Sequence, residues 1–306
     1  MEKIIIHEVG LRDGLQSEKV TVPSEEKIRW IEGLFASGVE IIQIGSFVHP
    51  EKVPQMADTD ALFTHFSGNK PTHVILSGLV LNERGLERGM ACGVDMFCMG
   101  VSASETHSQK NTGMTTGEAQ VRIVRMAKQA LLAGKEVQAS VQSAFGCGYE
   151  GPIAKEKVLK IVASYLEAGI RNISLADTAG HAHPTQVEDL FGAIHQMDAS
   201  VILACHFHNT YGLGLANCYA ALKSGVSYFE TAFGGLGGCP FTKLPAGNVC
   251  TEDLVHSLQR MGLCHEIQLN SLLDVARQVS AFFDRQLPGF ILKSGSIVGF
   301  QGKELS

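Results

Sequence analysis

Residues 172–208 read NISLADTAGHAHPTQVEDLFGAIHQMDASVILACHFH, a short apolar stretch, a longer mixed stretch and a second short apolar stretch. The two apolar stretches, residues 172–176 and 201–208, are typical of β-strands that are covered on both faces. The segment between them has the pattern of a helix over residues 184–197, and Pro184 suits its first turn. A strand, a helix and a second strand are therefore predicted, which is the repeating unit of an α/β protein.

The same alternation continues on both sides of this segment. The predicted helices often end on a small residue followed by glycine, such as Ser37-Gly38 and Ala168-Gly169, which allows a left-handed C-cap before the next strand. The predicted strands cover residues 3–9, 39–45, 73–78, 96–101, 136–142, 172–176, 201–208 and 228–232. The helices predicted between them cover residues 24–37, 115–133, 154–168, 184–197 and 212–224.

Eight such strands with intervening helices predict an α/β fold, a (β/α)8 TIM barrel with additional C-terminal helices at residues 249–261 and 269–285. We expect one catalytic domain over residues 1–306, with a C-terminal extension from about residue 262 to 306. A doubly wound open sheet is the alternative. It is disfavoured because no GxGxxG motif follows the first strand.

The composition excludes several functional classes. Of 306 residues, 45% are hydrophobic and 18% are charged, so the chain can bury a full core. A net charge of −6 is not that of a nucleic-acid-binding protein, and no apolar run approaches the ~20 residues that cross a bilayer. Residues 1–10 carry no basic or apolar leader, and the eight cysteines form no CxxC pair. We therefore expect a cytoplasmic protein with reduced thiols that binds neither nucleic acid nor membrane.

Two histidines close the seventh predicted strand. His206 and His208 lie two residues apart, so their side chains point to one face, either as ligands of one metal ion or as plain sheet-edge residues. At the mouth of a barrel, Asp13 beside Arg12 is either a carboxylate ligand or part of a surface ion pair. Asn248 is either an amide-oxygen ligand or the N-cap of the next helix. This ligand set suits Mg²⁺ or Mn²⁺, and the ligand types alone leave zinc open.

A glycine-rich stretch, GGLGGCP at residues 234–240, follows the eighth predicted strand. Four glycines in five positions predict a mobile loop, and its closure would carry the thiol of Cys239 into the site. The alternative is a glycine-rich turn with an incidental cysteine. The other cysteines are interpreted as structural.

Motifs spread over nearly the whole chain resemble those of the metal-dependent acyl-CoA lyases of the 3-hydroxy-3-methylglutaryl-CoA (HMG-CoA) lyase family. The Arg-Asp and His-x-His motifs are shared with a wider superfamily that includes isopropylmalate and homocitrate synthases, whereas the GGLGGCP loop is the sharper marker of the lyases. The motifs are VGLRDGLQ (residues 9–16), SFV (46–48), VPQM (53–56), SASE (102–105), DTAG (177–180), HFHNTYG (206–212), GGLGGCP (234–240) and GNVCTED (247–253).

The resemblance implies a divalent-metal-dependent retro-Claisen cleavage of HMG-CoA to acetyl-CoA and acetoacetate. It implies Mg²⁺ or Mn²⁺ held by Asp13, His206, His208 and Asn248, and bound in turn to the carboxylate and tertiary hydroxyl of the substrate. The CoA thioester is substrate and product rather than cofactor. The resemblance also suggests a homodimer.

The resemblance further assigns roles to individual residues. Arg12 would stabilise the enolate oxygen that develops during the reaction, and Cys239 would protonate the enolate carbon. Asp177 and His206 are the candidates for moving the hydroxyl proton. The residues implied beside the substrate or behind the ligands are Gln16, Gln43, Ser46 and Glu252.

Two positions depart from the family pattern, because Gln43 and Asn209 stand where the family usually has carboxylates. The change leaves the metal ligands intact but alters the field felt by an anionic substrate. Citramalyl-CoA or methylmalyl-CoA is therefore the alternative substrate. A Claisen-type synthase of the isopropylmalate synthase kind and a non-catalytic metal- or CoA-binding barrel are further alternatives. The candidate CoA-binding residues, which the sequence does not rank, are Lys19, Arg29, Lys52 and Lys110.

Overall fold

The computed structural model describes residues 3–238 and 247–297. Eight parallel strands close into a barrel in which each strand pairs with the next and the last pairs with the first. This architecture confirms the predicted (β/α)8 TIM barrel. The strands are β1 (Ile5–Glu8), β2 (Ile41–Ser46), β3 (Ile75–Leu79), β4 (Met96–Ser102), β5 (Glu136–Gln142), β6 (Asn172–Asp177), β7 (Ile202–Phe207) and β8 (Tyr228–Thr231).

Helices cover the outside of the barrel. The helices predicted from the sequence are present, and the last of them ends at Phe282 rather than at residue 285. Four further helices have nine residues or fewer, too short to show a periodic apolar pattern in the sequence. The helices are α1 (Ser24–Ser37), α2 (Thr59–Phe66), α3 (Glu83–Ala91), α4 (Glu105–Thr112), α5 (Thr116–Leu132), α6 (Lys155–Glu167), α7 (Pro184–Met197), α8 (Gly214–Lys223), α9 (Thr251–Arg260), α10 (Leu269–Phe282) and α11 (Phe290–Ser294).

Alternation along the strands divides the apolar core in two. Outward-facing residues such as Phe97 and Leu175 pack beneath the helices in the main core. Inward-facing residues form a second cluster inside the barrel. The part of this cluster at the amino ends of the strands, which we call the lumen floor, consists of Ile5, Ile41, Ile75, Met96 and Tyr228.

The C-terminal helices fix the segment that follows β8. Trp30 on α1 is fully buried and packs edge-on against Phe233 and Phe282, with ring centroids 6.1 and 5.6 Å apart. Phe233 begins the turn that leads into the glycine-rich stretch, and Phe282 lies at the end of α10. The base of that stretch is therefore clamped between the barrel and α10.

Two observations bear on the composition. None of the helices in residues 3–238 and 247–297 is both long and apolar enough to cross a membrane. The seven cysteines within these ranges are free thiols. The single-domain organisation with an extension from about residue 262 stays a prediction.

Candidate metal centre

Asp13 is carried by a single π-helical turn, Gly10–Gly14, that directly follows β1. Such turns are rare and are frequently found at functional sites. The backbone N–H groups of Asp13 and Gly14 both donate to the carbonyl oxygen of Val9, at 2.8 and 3.3 Å. The turn thus places Arg12 and Asp13 at the carboxyl ends of the strands, where barrel enzymes carry their active sites.

Asp13 meets both predicted histidine ligands at this end of the barrel. The Nε2 atoms of His206 and His208 are 3.2 Å apart. Asp13 Oδ2 lies 3.7 Å from His206 Nε2 and 3.9 Å from His208 Nε2. One donor atom from each residue lies within 4.8 Å of the other two, close enough for all three to bind one ion. The fold therefore brings Asp13 to two histidines that follow it by more than half the length of the chain.

The electrostatics differ among the three groups. Burial raises the pKa of Asp13, but Arg12 and the two histidines outweigh it and hold that pKa well below its usual range. Burial and the neighbouring His206 lower the pKa of His208 to about 4, so this imidazole is neutral, as a ligand must be. Burial also lowers the pKa of His206, but the hydrogen bond to Glu230 and the charge of Asp13 raise it overall. Because only a neutral imidazole binds a cation through Nε2, protonation competes with metal binding at His206 more than at His208.

Glu230 on β8 orients His206. The Nδ1–H group of His206 donates to Glu230 Oε2 at 3.0 Å, which leaves Nε2 facing Asp13. Burial raises the pKa of Glu230, but the hydrogen bond and charge of His206 lower it overall, so this group is a carboxylate. A carboxylate behind a ligating histidine fixes its tautomer and raises its basicity. Glu230 was not predicted from the sequence, although it is the one charged residue of β8 and this was the available signal.

Asn248 reaches the centre from a different element. It forms an isolated antiparallel bridge with His208, and its Nδ2 donates to Asp13 Oδ2 at 2.8 Å and to the carbonyl oxygen of Leu236 at 2.9 Å. Its Oδ1 is buried and has no hydrogen-bond partner among the described residues. The predicted role as an oxygen ligand therefore requires the amide to turn over, so that Oδ1 replaces Nδ2 beside Asp13.

The donor set suits a divalent cation. A carboxylate and two imidazole nitrogens converge, and the unpartnered Oδ1 of Asn248 supplies a fourth donor once the amide turns over. Hard oxygen donors mixed with imidazole match the preferences of Mg²⁺ and Mn²⁺ and leave positions open for a substrate.

Arg12 is held between two side chains at the edge of this centre. Its Nε donates to Gln43 Oε1, and its NH1 pairs with Asp13 Oδ1. Gln43 is buried on β2 and brings no negative charge of its own. The guanidinium is therefore oriented by an amide and paired with Asp13, which suits it to meet an anion that develops in a substrate.

Asp177, the predicted proton-transfer residue, ends β6 and is fully buried. Its two oxygens accept the backbone N–H groups of His181 at 2.7 Å and Ala182 at 3.1 Å. Burial raises its pKa to about 6 despite these bonds and the nearby charge of His206. The carboxylate thus holds the turn after β6, and its pKa lies close to the range that favours proton transfer near neutral pH.

Glu8, at the end of β1, was also missed from the sequence. Its Oε1 accepts the backbone N–H groups of Gly10 at 2.7 Å and Phe233 at 3.0 Å, and its Oε2 accepts the hydroxyl of Thr251 at 2.5 Å. A Cβ at Gly10 would lie only 2.7 Å from Glu8 Oε1, so glycine is needed there. Burial raises the pKa of Glu8 to about 8. One carboxyl group thus ties the turn that carries Asp13 to the base of the glycine-rich stretch.

Glu252, predicted to support the ligands, contacts the same base. Both of its oxygens accept the backbone N–H of Gly234, at 3.1 and 3.0 Å, and the thiol of Cys250 donates to Oε2 at 2.5 Å. Burial raises the pKa of Glu252 to about 7. Its described contacts therefore support the glycine-rich stretch more directly than the metal ligands.

The remaining predicted residues occupy varied positions. Gln16 is exposed next to the π-helical turn, and Ser46 is buried at the end of β2. Asn209 Oδ1 accepts the backbone N–H of Gly214 at 2.9 Å, a bond that a carboxylate would also form, so the amide preserves the start of α8. Cys239 lies outside the described residues.

The candidate CoA-binding residues are exposed and differ in their contacts. The ammonium group of Lys110 lies 3.8 Å from the ring centroid of Tyr149, and Arg29 pairs with Glu26 at 2.8 Å. A cation over an aromatic ring and a short ion pair are both compatible with an exposed rim.

A (β/α)8 barrel with Asp13, two histidines and Arg12 at the carboxyl ends of its strands has the construction of a metal-dependent barrel enzyme. A family model described as HMGL-like matches residues 3–279. The chain is 37% identical over 287 residues to a hydroxymethylglutaryl-CoA lyase of Bacillus subtilis, covering 94% of this chain and 95% of that protein. It is 35% identical over 305 residues to an (R)-citramalyl-CoA lyase of Chloroflexus aurantiacus, covering 97% and 96%.

Solved structures agree with these matches. An HMG-CoA lyase of Acinetobacter baumannii, solved with coenzyme A and 3-methylmalate, superposes with a TM-score of 0.91 at 35% identity over 99% of this chain and 98% of that chain. The HMG-CoA lyase structure of Bacillus subtilis superposes with a TM-score of 0.92 at 37% identity over 95% and 97%. The chain belongs to the HMGL-like family, and the prediction of a carbon–carbon lyase is confirmed.

Proposed function

We propose that this protein cleaves HMG-CoA to acetyl-CoA and acetoacetate, with Mg²⁺ or Mn²⁺ bound by Asp13, His206, His208 and Asn248. The observation that carries the proposal is the convergence of Asp13 Oδ2 with two imidazole nitrogens directly beside Arg12. The high coverage of HMG-CoA lyases among the relatives supports the same assignment.

The residues around the centre divide the work of a retro-Claisen cleavage. A divalent cation bound there would polarise the tertiary hydroxyl of the substrate and lower its pKa. Arg12 faces the position where negative charge grows on the thioester oxygen as the carbon–carbon bond breaks, and Gln43 holds its guanidinium in place. That charge exists only during the reaction. The interaction with Arg12 therefore lowers the free energy of the transition state more than that of the bound substrate.

Two proton movements complete the cycle. The proton of the tertiary hydroxyl passes to Asp177, which is buried at the end of β6 and whose pKa burial raises to about 6, since the cation and Glu230 would engage both ring nitrogens of His206. The enolate carbon takes a proton from the thiol of Cys239, brought in by the glycine-rich stretch whose base Glu8 and Glu252 hold. Acetyl-CoA and acetoacetate then leave, and the proton on the base returns to the Cys239 thiolate through solvent, which restores both groups.

Citramalyl-CoA is the second candidate substrate, with methylmalyl-CoA as a related alternative. Gln43 favours it, because the carboxylate of citramalyl-CoA is bonded directly to the carbinol carbon, one carbon closer than in HMG-CoA, and a neutral amide beside Arg12 repels a carboxylate there less than a glutamate would. A citramalyl-CoA lyase among the relatives supports the same alternative. A Claisen-type synthase would instead consume acetyl-CoA with a 2-oxo acid. A non-catalytic binding barrel would bind a hydroxyacyl-CoA or acetyl-CoA without converting it.

The test is to incubate the protein with Mg²⁺ or Mn²⁺ and each thioester and to measure the released ketone fragment. Acetoacetate from HMG-CoA supports the first candidate, and pyruvate from citramalyl-CoA without acetoacetate supports the second. Binding without turnover of any hydroxyacyl-CoA would reject the lyase. We further propose that the protein is a cytoplasmic homodimer. Mass measurement in solution tests the dimer, and localisation of the tagged protein tests the compartment.

A further inference from the structure

A row of uncharged polar side chains runs across the barrel lumen from Arg12. Gln43, Cys98 and Gln138 are buried inside the barrel, with 1, 5 and 2% of their surface exposed. Cys98 pairs with Gln138 across β4 and β5, and Gln138 pairs with Asn172 across β5 and β6. Because residues paired across parallel strands point to the same face, these side chains lie next to one another. We call Gln43, Cys98, Gln138 and Asn172 the lumen row.

Hydrogen bonds connect each member of the lumen row to the next. Gln43 Oε1 accepts from Arg12 Nε, and the amide of Gln43 is hydrogen-bonded in turn to the thiol of Cys98. Cys98 Sγ lies 3.7 Å from Gln138 Oε1, and Gln138 Nε2 lies 3.3 Å from Asn172 Oδ1. The row thus links the guanidinium of Arg12 to β6 by consecutive hydrogen bonds.

The donors in the lumen row all point the same way. The Nε–H group of Arg12 can only donate, so it holds Oε1 of Gln43 on its side and leaves Nε2 as the donor to Cys98. Burial raises the pKa of the Cys98 thiol to about 12, so the thiol keeps its proton and donates it to Gln138. Each amide is therefore held in one orientation by the group that follows it.

Two further side chains hold the thiol of Cys98 from β3 and β1. The hydroxyl of Ser77 is hydrogen-bonded to Cys98, and Ser77 Oγ lies 2.8 Å from His7 Nε2. Burial lowers the pKa of His7 to about 4, so this imidazole is neutral near pH 7. Neither side chain brings a charge, so the direction of the hydrogen bonds sets the orientation of the Gln43 amide.

An interruption of the lumen row would release Arg12. Without the sulfur of Cys98, Nε2 of Gln43 loses its acceptor and the amide is free to turn over. Its NH2 group would then face the Nε–H group of Arg12, and two donors form no hydrogen bond. The guanidinium would keep its pair with Asp13 but lose the acceptor that fixes its orientation.

We propose that Cys98 and Gln138 are positioning residues that hold Arg12, through Gln43, in the orientation that carbon–carbon cleavage requires. The inference rests on the proposed function, in which Arg12 meets the negative charge that develops on the thioester oxygen. Because Arg12 acts on a charge that exists only during the reaction, loss of the lumen row should lower kcat more than it changes KM.

A matched pair of substitutions at Cys98 tests the role in catalysis. Cys98→Ala removes the hydrogen bonds and should lower kcat for the cleaved thioester by about tenfold or more, with KM within about twofold, because small misplacements of a catalytic group are costly. Cys98→Ser keeps a donor and an acceptor and should recover most of that rate. Cys92→Ala, at a cysteine after α3 whose thiol donates to the carbonyl of Gly89, is the control. Equal losses of kcat in Cys98→Ala and Cys98→Ser would overturn the inference, as would a loss confined to KM.

The exchange of the Arg12 Nε proton with water reports the orientation of the guanidinium without any substrate. NMR of protein labelled with ¹⁵N at arginine Nε measures it, and the Arg12 signal is the one that disappears in Arg12→Lys. Cys98→Ala should speed this exchange roughly fivefold, the effect of one hydrogen bond, whereas Cys98→Ser should leave it slow. Gln138→Met breaks the row two side chains away from Arg12 and should speed the exchange in the same direction. An unchanged rate in either Cys98→Ala or Gln138→Met rejects the inference.

The two readouts separate this inference from the proposed function. If no hydroxyacyl-CoA is cleaved, the function is rejected, and the exchange rates alone decide whether the lumen row holds Arg12. If the exchange changes while kcat does not, the row orients Arg12 without serving the reaction, and the inference fails while the function stands. Circular dichroism verifies that each variant is folded.

Discussion

Ile41, Met96 and Tyr228 line the lower end of the lumen with apolar side chains, whereas two residues further along the same strands the inward positions hold Gln43, Cys98 and Glu230. The two sets belong to β2, β4 and β8, and one step of strand alternation separates them. The lower set contributes packing, and the upper set contributes hydrogen bonds to Arg12 and His206.

The difference shows how one barrel combines stability and chemistry. Buried polar groups cost free energy unless they are paired. The upper set of inward-facing residues therefore contributes less to the free energy of unfolding than the apolar set below it. The floor and the outer core offset that cost with apolar burial. Substitutions should therefore separate into those that remove activity and those that remove stability.

The largest effect is expected from Asp13→Ala. Removing the carboxylate from the centre should lower kcat by at least about 10³-fold, since metal-based polarisation is worth several kcal/mol. Metal affinity, measured by calorimetry with Mn²⁺, should fall in parallel. Asp274→Ala, which removes an exposed carboxylate paired with Arg277, is the control. Near-normal turnover in Asp13→Ala would remove the metal centre from the mechanism.

Met96→Ala tests the floor. Met96 is fully buried, so its truncation should cost about 2–5 kcal/mol of unfolding free energy through lost transfer energy and a cavity. Urea unfolding measures the loss. The folded fraction should keep its metal affinity, because Met96 lies below the polar level. A larger loss of metal affinity than of stability would contradict the division between the two levels.

Glu230→Gln tests the charge of one residue of the upper set while keeping the size of its side chain. The amide should still accept from His206 but lacks the charge that raises the basicity of the imidazole, so Mn²⁺ affinity should fall by about 10–100-fold. Glu136→Gln removes an exposed glutamate at the start of β5 and serves as the matched control. Equal affinities in the two variants would show that Glu230 does not act through His206.

The smallest effect is expected from Glu8→Gln and depends on pH. The pKa of Glu8 is about 8 in the folded protein, above the ordinary value of 4.5. Between these two pH values the folded protein therefore keeps a proton on Glu8 that the unfolded chain releases. Stability from this group is therefore present at low pH and declines as pH rises from about 4.5 to 8. The glutamine mimics the protonated form, so the variant should lose less stability than the wild type between pH 6 and pH 9, on the order of 1 kcal/mol or more in urea titrations. Parallel curves would contradict a raised pKa.

Much of the fold could be predicted from the sequence because the signals are local. Apolar strands and glycine C-caps repeat along the chain. The closed barrel contains the predicted strands, and α1 ends on the predicted glycine C-cap at Gly38. Short helices such as α2 and α4 gave no such signal, since two turns contain too few apolar repeats.

The candidate site was predicted only in part. Asp13, His206 and His208 were recognisable because short motifs surround them, and the structure brings them together. Glu8 and Glu230 were missed because their partners are 225 and 24 residues away, so nothing in the neighbouring sequence indicates what they bind. Residue type alone also did not predict which atom of the Asn248 amide faces Asp13.

The bond from Phe233 to Glu8 spans 225 positions and has a consequence for biosynthesis. While the ribosome is still adding β8, the nascent chain already contains Asp13, His206 and His208 but has neither Glu230 in place nor an anchor for the turn after β1. Closure of the barrel through the β1–β8 pairing therefore waits for the last strand, and a chain that ends before β8 would lack both the carboxylate behind His206 and the bond from Phe233 to Glu8.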